Sequence, residues 1–381
     1  MNGLDLCRKI KVMVCFGTRP EAIKMCPLVL ELKKHQEIEC IVCVTGQHKE
    51  MLKQVLNVFR IQADYNLDIM KNGQTLTEIT TNILEGIEPV LIKEKPDLVL
   101  VHGDTSTSFS VAVAAFYQKI PVGHVEAGLR TYNIYSPYPE EMNRLLVDRI
   151  SEYHYSPTAY NIGNLEKENI KGKNVLTGNT VIDSFQYTVR KDYVFSCCDL
   201  NEVDFSKKVI VVTAHRRENL GEPLQNICNA IKKLALQNSD MVWVYPAHLN
   251  RIVQETVRST LSDIENVFIL PPLDVFDMHN LLCRSYFVMT DSGGLQEEAP
   301  HFGKPVLVLR DTTERPEAVK AGTVKVVGTN MKDITDSAQM LLDDEDEYNR
   351  MARAVNPYGD GHASERIVED IISSFCDNDV K

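Results

Sequence analysis

Short apolar runs alternate with amphipathic stretches along almost the whole chain, and this alternation narrows the fold more than any other feature. In the first half the runs cover 10–16, 40–44, 98–101, 121–125 and 175–177. In the second they cover 209–213, 241–245, 267–270, 286–289, 305–309 and 324–327. Runs of this length bounded by turn residues read as strands buried on both faces. The intervening stretches, such as 75–95, 107–118 and 224–236, carry apolar residues at helical spacing. Strands that alternate with helices build parallel sheets covered on both faces. The pattern recurs in two similar halves, and 381 residues exceed what one core comfortably fills. The segment 187–206 has no clear period and mixed charge, so the boundary is placed there. The expectation is an α/β protein of two Rossmann-like, doubly wound domains, 1–190 and 207–362, facing a cleft. A last helix within 363–381 is expected to cross back onto the first domain. Ligands in such folds bind outside the carboxyl ends of the strands.

Composition excludes several classes of partner. A formal charge of −12 argues against nucleic acid or an anionic membrane surface. No run approaches the ~20 apolar residues that a membrane span needs. The opening MNGLDLCRKI lacks the apolar centre of a signal peptide, so a cytoplasmic protein is expected. Ten cysteines raise a metal or disulfide reading. Cys40 and Cys43 form a CxxC, but three residues apart on a strand they point to opposite faces. Cys197-Cys198 has no second pair at zinc-site spacing. Reduced, mostly buried thiols and no bound metal are expected.

The stretch TDSGGLQEEAPHFGKPVLVLRDTTER, 290–315, carries the densest chemistry. It reads as a strand, a sharp turn and a helix with Ser292 as its cap. Unpaired amides in a first helical turn hold anions, and Gly293 and Gly294 let a phosphate approach the backbone. Glu297 or Glu298 is placed to accept hydrogen bonds from two neighbouring sugar hydroxyls, and a second strand delivers Arg315 beside the same corner. The segment suits a nucleoside diphosphate. Glycines used only for packing are the plain alternative.

Four further polar clusters fall at strand ends. The first strand runs into Gly17-Thr18-Arg19-Pro20-Glu21, with Lys24 one turn on; a simple surface loop is as consistent. His102-Gly103-Asp104 and His124-Val125-Glu126 place two carboxylates on two strand ends, as acid–base chemistry requires. Confined together, at least one is expected to have a raised pKa. The alternatives are helix capping by Asp104 and a metal site of HxD plus HxE. Glu140 and Arg144 stand four apart, on one face of a helix, where a surface ion pair would also place them. His215 follows the strand 209–213 and is suited to phosphate contact or proton transfer, with a purely structural histidine as the alternative.

Taken together, FGTRPEAIKMCPL, VHGDTSTS, PVGHVEAGLRT, SPYPEEMNR, LTGNTVID, VTAHRREN, TDSGGLQEEAP, GKPVLVLRDTTERPEA and NPYGDGHAS resemble the non-hydrolysing UDP-N-acetylglucosamine 2-epimerases, almost from end to end. The resemblance implies a glycosyltransferase-B-type fold and interconversion of UDP-N-acetylglucosamine and UDP-N-acetylmannosamine with no metal or other cofactor. It implies anti-elimination of UDP, a bound 2-acetamidoglucal, and re-addition of UDP after reprotonation from the other face. By the same resemblance Asp104, Glu126 and Glu140 are acid–base groups, and His215 is catalytic or touches phosphate. Arg19, Ser292, Gly293, Gly294 and Arg315 hold the diphosphate, Glu298 the ribose, and Lys24 lies near the UDP. Arg144 matches an active-site arginine. Leu273 is expected to meet the base through its backbone. Met278 stands where many relatives have an aromatic ring, and a thioether still packs on a base. Gln47, Arg216 and His248 match parts of a second, allosteric site, although Gly73 replaces an arginine of some members. The resemblance also implies a homodimer and a role in surface polysaccharide precursor supply. The competing readings are a hydrolysing epimerase that releases N-acetylmannosamine and UDP, a glycosyltransferase of the same fold, and a UDP-sugar binder without turnover.

Overall fold

The strands form two wholly parallel sheets in the computed structural model, which describes residues 8–46, 49–71 and 73–376. The first sheet holds β1 (Ile10–Phe16), β2 (Ile38–Val44), β3 (Tyr65–Asn66), β4 (Leu98–His102), β5 (Val122–Val125), β6 (Tyr153–Ser156) and β7 (Lys173–Leu176). Its order is β3-β2-β1-β4-β5-β6-β7. The second sheet holds β8 (Val209–Thr213), β9 (Val242–Pro246), β10 (Val267–Leu270), β11 (Phe287–Thr290), β12 (Val306–Val308) and β13 (Val324–Val326). Its order is β10-β9-β8-β11-β12-β13. Each order reverses between the first and fourth strands of its sheet. A crevice opens at such a reversal, at the carboxyl ends of the strands.

The chain divides into two units, one of 8–187 with 358–376 and the other Thr188–Pro357. The first core packs Met13, Ile83, Ile87, Val99 and Val111; the second surrounds Trp243 with Ile210, Ile231, Val257 and Leu307. Each such side chain contributes ~1.5–3 kcal/mol when fully buried. The central strands β1, β4, β8 and β11 are apolar on both faces because helices cover both.

The unit edges differ from the sequence expectation. The aperiodic stretch 188–206 belongs to the second unit and is held there by polar bonds. Asp277 accepts from the Ser196 and Cys197 amides, each at 2.8 Å, and from the Tyr193 hydroxyl at 3.0 Å. The chain rejoins the first unit at Tyr358 rather than 363. There the Tyr358 carbonyl accepts from the Asn179 amide at 2.7 Å, and Asp183 accepts from the Ser364 amide at 2.7 Å. The helix Ala363–Cys376 packs against the helix Arg19–Leu32.

Two strands escaped the apolar pattern. β3 is two residues long at the sheet edge, and β6 reads Tyr-His-Tyr-Ser, too polar to register as an apolar run. Thiol burial is also less complete than expected. Cys15, Cys26, Cys43 and Cys228 are buried, Cys40, Cys197 and Cys283 half-buried, and Cys198 and Cys376 exposed. Among the described residues no helix is long and apolar enough to cross a membrane.

Candidate active site

In the first unit, the loops after β1 and β4 flank the reversal of strand order. Gly17 opens the first loop, and no larger residue fits: a Cβ there would lie 2.0 Å from Thr45 Oγ1 and 2.4 Å from Thr107 Oγ1. Thr18 then caps the helix Arg19–Leu32, and Glu21 folds back onto the Thr18 amide at 2.7 Å and the Gly17 amide at 3.1 Å. This capping box sets Arg19 in the first helical turn. Glu21 also accepts from Thr105 Oγ1 at 2.7 Å and Ser108 Oγ at 3.2 Å. One buried carboxylate thereby joins the two loops. Burial pushes its pKa up, against hydrogen bonds that lower it.

Thr105, not Asp104, caps the helix Ser106–Tyr117, which removes the capping alternative for Asp104. The Asp104 carboxylate is instead ion-paired with Arg144 Nη2. Arg144 Nη1 bonds Glu141 Oε2 at 3.0 Å, and Glu141 Oε1 accepts from the Thr131 and Tyr132 amides, each at 2.9 Å. The surface ion pair of Glu140 with Arg144, the plain alternative for their spacing, gives way to this arrangement. Arg144 lies on the buried face of its helix, where Asp104 and Glu141 are the carboxylates within reach. Glu140 Oε2 is buried without a hydrogen-bond partner.

Strands β4 and β5 are neighbours, with His102 opposite Val125, so the Asp104 and Glu126 loops adjoin. A Cβ on Gly103 would lie 3.5 Å from Glu126 Oε1. Glu126 Oε2 is ion-paired with Lys24 Nζ, accepts from Asn179 Nδ2 at 2.9 Å and lies 3.7 Å from His102 Nε2. Burial pushes the His102 imidazole down to about 3, so it is neutral near pH 7. His124 has both ring nitrogens engaged, by Asp148 at 2.6 Å and the Gly103 carbonyl at 2.8 Å. It is therefore not presented for the HxD plus HxE metal alternative. Among the described residues no group of three or more His, Cys, Asp or Glu is placed to hold a metal ion.

The second unit repeats the design. Strands β8 and β11 are adjacent, and their loops carry His215-Arg216 and Asp291-Ser292-Gly293-Gly294. Asp291 is fully buried and joins them. Its Oδ2 accepts from the His215 and Arg216 amides, each at 2.7 Å, and from Asn219 Nδ2 at 3.0 Å. His215 Nδ1 lies 3.4 Å from Asp291 Oδ1, and its ring stacks on His248 at 5.2 Å and 6°. Burial, with help from His248 and Arg216, lowers the His215 pKa against the pull of Asp291.

Arg315 does lie beside the glycine corner. A Cβ on Gly293 would be 3.4 Å from its guanidinium carbon, while its Nε bonds Glu297. Glu298 Oε1 would be 3.2 Å from a Cβ on Gly294, and Glu298 Oε2 lies 3.6 Å from His279 Nε2. Ser292 occupies the cap position of the helix Gly293–Glu298 but makes no capping bond with its side chain. Its own amide is turned onto Thr290 Oγ1 at 2.9 Å. The cap expected there is therefore not formed. Leu273 and Met278 are half-buried, Met278 on the helix Val275–Arg284. Arg216 and His248 sit next to His215, and Gln47 lies outside the described residues.

Sequence reasoning missed Glu21, Glu141, Asp291, Arg310 and Glu314. Arg310 and Glu314 share the loop that delivers Arg315, so the motif itself was the available signal. The other three are buried, Glu21 and Glu141 in first helical turns and Asp291 in a loop, and a single Glu or Asp in a sequence carries no sign of burial.

Two doubly wound sheets, each with polar loops at its reversal, define a glycosyltransferase-B-type protein. The same fold occurs in the glycotransferase of kitacinnamycin, at a TM-score of 0.65 and 10% identity over 96% of this chain and 99% of that one. The pattern of the UDP-N-acetylglucosamine 2-epimerase family spans residues 30–372, and the chain belongs to that family. It is 54% identical to the UDP-N-acetylglucosamine 2-epimerase of Bacillus subtilis, across 97% of this chain and 96% of that protein. The crystal structure of UDP-GlcNAc 2-epimerase from Neisseria meningitidis bound to UDP-GlcNAc is similar at a TM-score of 0.85. It is 50% identical, over 95% of this chain and 100% of that one.

Proposed function

We propose that the chain interconverts UDP-N-acetylglucosamine and UDP-N-acetylmannosamine without net hydrolysis. C2 of the sugar adjoins no carbonyl carbon, so its proton is too weakly acidic for simple abstraction. Elimination avoids the problem. The C1–O bond breaks with its electron pair going to UDP, C2 gives up its proton to a carboxylate, and a 2-acetamidoglucal remains. A proton delivered to the opposite face of C2 lets UDP return to C1, giving the epimer.

The observation that carries this reading is the pair of strand-end carboxylates, Asp104 and Glu126, each set against a cation of its own unit. In this reading they exchange the C2 proton together with Glu140, whose buried Oε2 is unpartnered. Lys24 and Arg144 orient them and offset their charge. Arg315, Arg19 and the backbone of Ser292, Gly293 and Gly294 stabilise the departing diphosphate, where charge develops. His215 acts at the phosphate or as a further proton carrier, Glu298 holds the ribose, and Leu273 and Met278 receive the uracil. The glycal must be kept from water, which would otherwise capture it.

The test is incubation with UDP-N-acetylglucosamine in D₂O followed by NMR. The expected result is UDP-N-acetylmannosamine with deuterium at C2. Free N-acetylmannosamine and UDP would instead indicate hydrolysis, and an unchanged sugar nucleotide would contradict the proposal.

A further inference from the structure

Three guanidinium groups converge on one carboxylate at the glycine corner of the second unit. Glu314 Oε2 is ion-paired with Arg310 Nη1, and Glu314 Oε1 lies 3.5 Å from Arg216 Nη2 and 3.9 Å from Arg315 Nη1. The same oxygen would be 3.1 Å from a Cβ on Gly293. It therefore fills the space that the missing side chain of Gly293 leaves open. Arg310 and Arg315 are each anchored through Nε by another carboxylate, Glu218 at 2.6 Å for Arg310 and Glu297 for Arg315. Anchoring a planar fork at Nε fixes the direction of its Nη groups. Here both forks point at Glu314. Burial pushes the Glu314 carboxyl up, but Arg315 and Arg310 outweigh it and hold it below the usual range.

A single carboxylate facing three arginines stands where a bound diphosphate would be gripped. Each guanidinium already has a carboxylate, Arg216 with Glu314, Arg310 with Glu218 and Glu314, and Arg315 with Glu297. A diphosphate adds further negative charge, and two anions cannot share one seat. Glu314 lies in the loop after β12, and its side chain is one-fifth exposed, so it has an outward path.

We propose that Glu314 is a built-in counter-ion seated in the diphosphate position, and that Arg310 passes from Glu314 to the diphosphate when a nucleoside diphosphate binds. Arg310 is then a diphosphate-binding residue beside Arg315, and Glu314 competes with the ligand. This rests on the reading that the glycine corner holds the diphosphate.

Calorimetric titration of the full chain with UDP, and with uridine as the phosphate-free control, tests it. Glu314→Gln and Glu314→Ala should each bind UDP roughly tenfold tighter, with uridine affinity unchanged, because a like charge leaves the seat. Arg310→Met should bind UDP roughly tenfold or more weaker, again with uridine unchanged. UDP binding that is unchanged or weaker in both Glu314 variants would overturn the counter-ion role. An Arg310→Met loss equal for UDP and uridine would overturn the diphosphate contact. Failure of the unsubstituted protein to bind UDP would defeat the functional reading itself. Fluorescence of Trp243, the single tryptophan and fully buried in this unit, confirms that each variant is folded.

Discussion

Glu126 is held in a backbone conformation that side chains avoid. Its φ is 69°, in the left-handed region, which costs ~1 kcal/mol or more for a residue with a Cβ. The strain persists because the Tyr155 carbonyl accepts from both the Glu126 amide at 3.0 Å and the Ala127 amide at 3.2 Å. The turn directs the carboxylate to Lys24 and Asn179 rather than along the strand. Strain at this point fits a group whose position matters more than its stability. Glu126→Gln and Asp104→Asn keep size and hydrogen bonding but remove the basic oxygen. Each should lower turnover by about two orders of magnitude or more. UDP affinity, read by calorimetry, should stay within a few-fold. Near-native C2 exchange in either variant would remove that residue from the proton-transfer role. The carboxylates themselves were legible in the sequence because they end apolar runs. Their partners were less so. Helical spacing sets Arg144 on the face of Glu140, yet burial of that face directs it to Asp104 and Glu141.

At the scale of elements, the helix Val275–Arg284 shows why 188–206 belongs to the second unit rather than marking the boundary. Its buried residues include the polar groups Asp277, His279 and Asn280 beside Leu281 and Leu282. Asp277 takes the 193–197 segment, Asn280 Oδ1 accepts from the Arg190 amide at 3.0 Å, and His279 Nδ1 meets Thr188 Oγ1 at 2.8 Å. Docking through side chains onto backbone leaves no hydrophobic period to detect. It also has a consequence for pH. Burial pushes the His279 imidazole down to about 3, from about 6.5 in the unfolded chain. The neutral form is favoured by the fold, so its stabilising effect is complete above about pH 6.5. It is lost as the pH falls towards about 3, by about 1.4 kcal/mol per pH unit for this one group. Denaturant unfolding followed by Trp243 fluorescence reports the second unit. His279→Gln should flatten the dependence of its stability on pH across that window. An unchanged slope would mean that His279 is not held neutral.

At the scale of the whole molecule, eleven runs read as strands in the sequence form strands in two parallel sheets, because alternation of buried strands and covering helices leaves little freedom. The reversal of strand order is different. It depends on which strands become neighbours, and the chain order of the motifs does not state it. Once the sheets are formed, the Thr18 and Asp104 loops of one unit, and the His215 and glycine-corner loops of the other, fall at the two reversals. The reading that follows is that one unit supplies proton-transfer carboxylates and the other a grip on a departing diphosphate. In the proposed function the bond between C1 and the diphosphate breaks and reforms during epimerisation. UDP-N-acetylglucosamine carrying ¹⁸O in the C1–O–P bridge tests this by ³¹P NMR. In recovered substrate and in the epimer, the label should spread from the bridge into the non-bridging oxygens of the β-phosphate. Formation of the epimer with the label still wholly in the bridge would contradict the account.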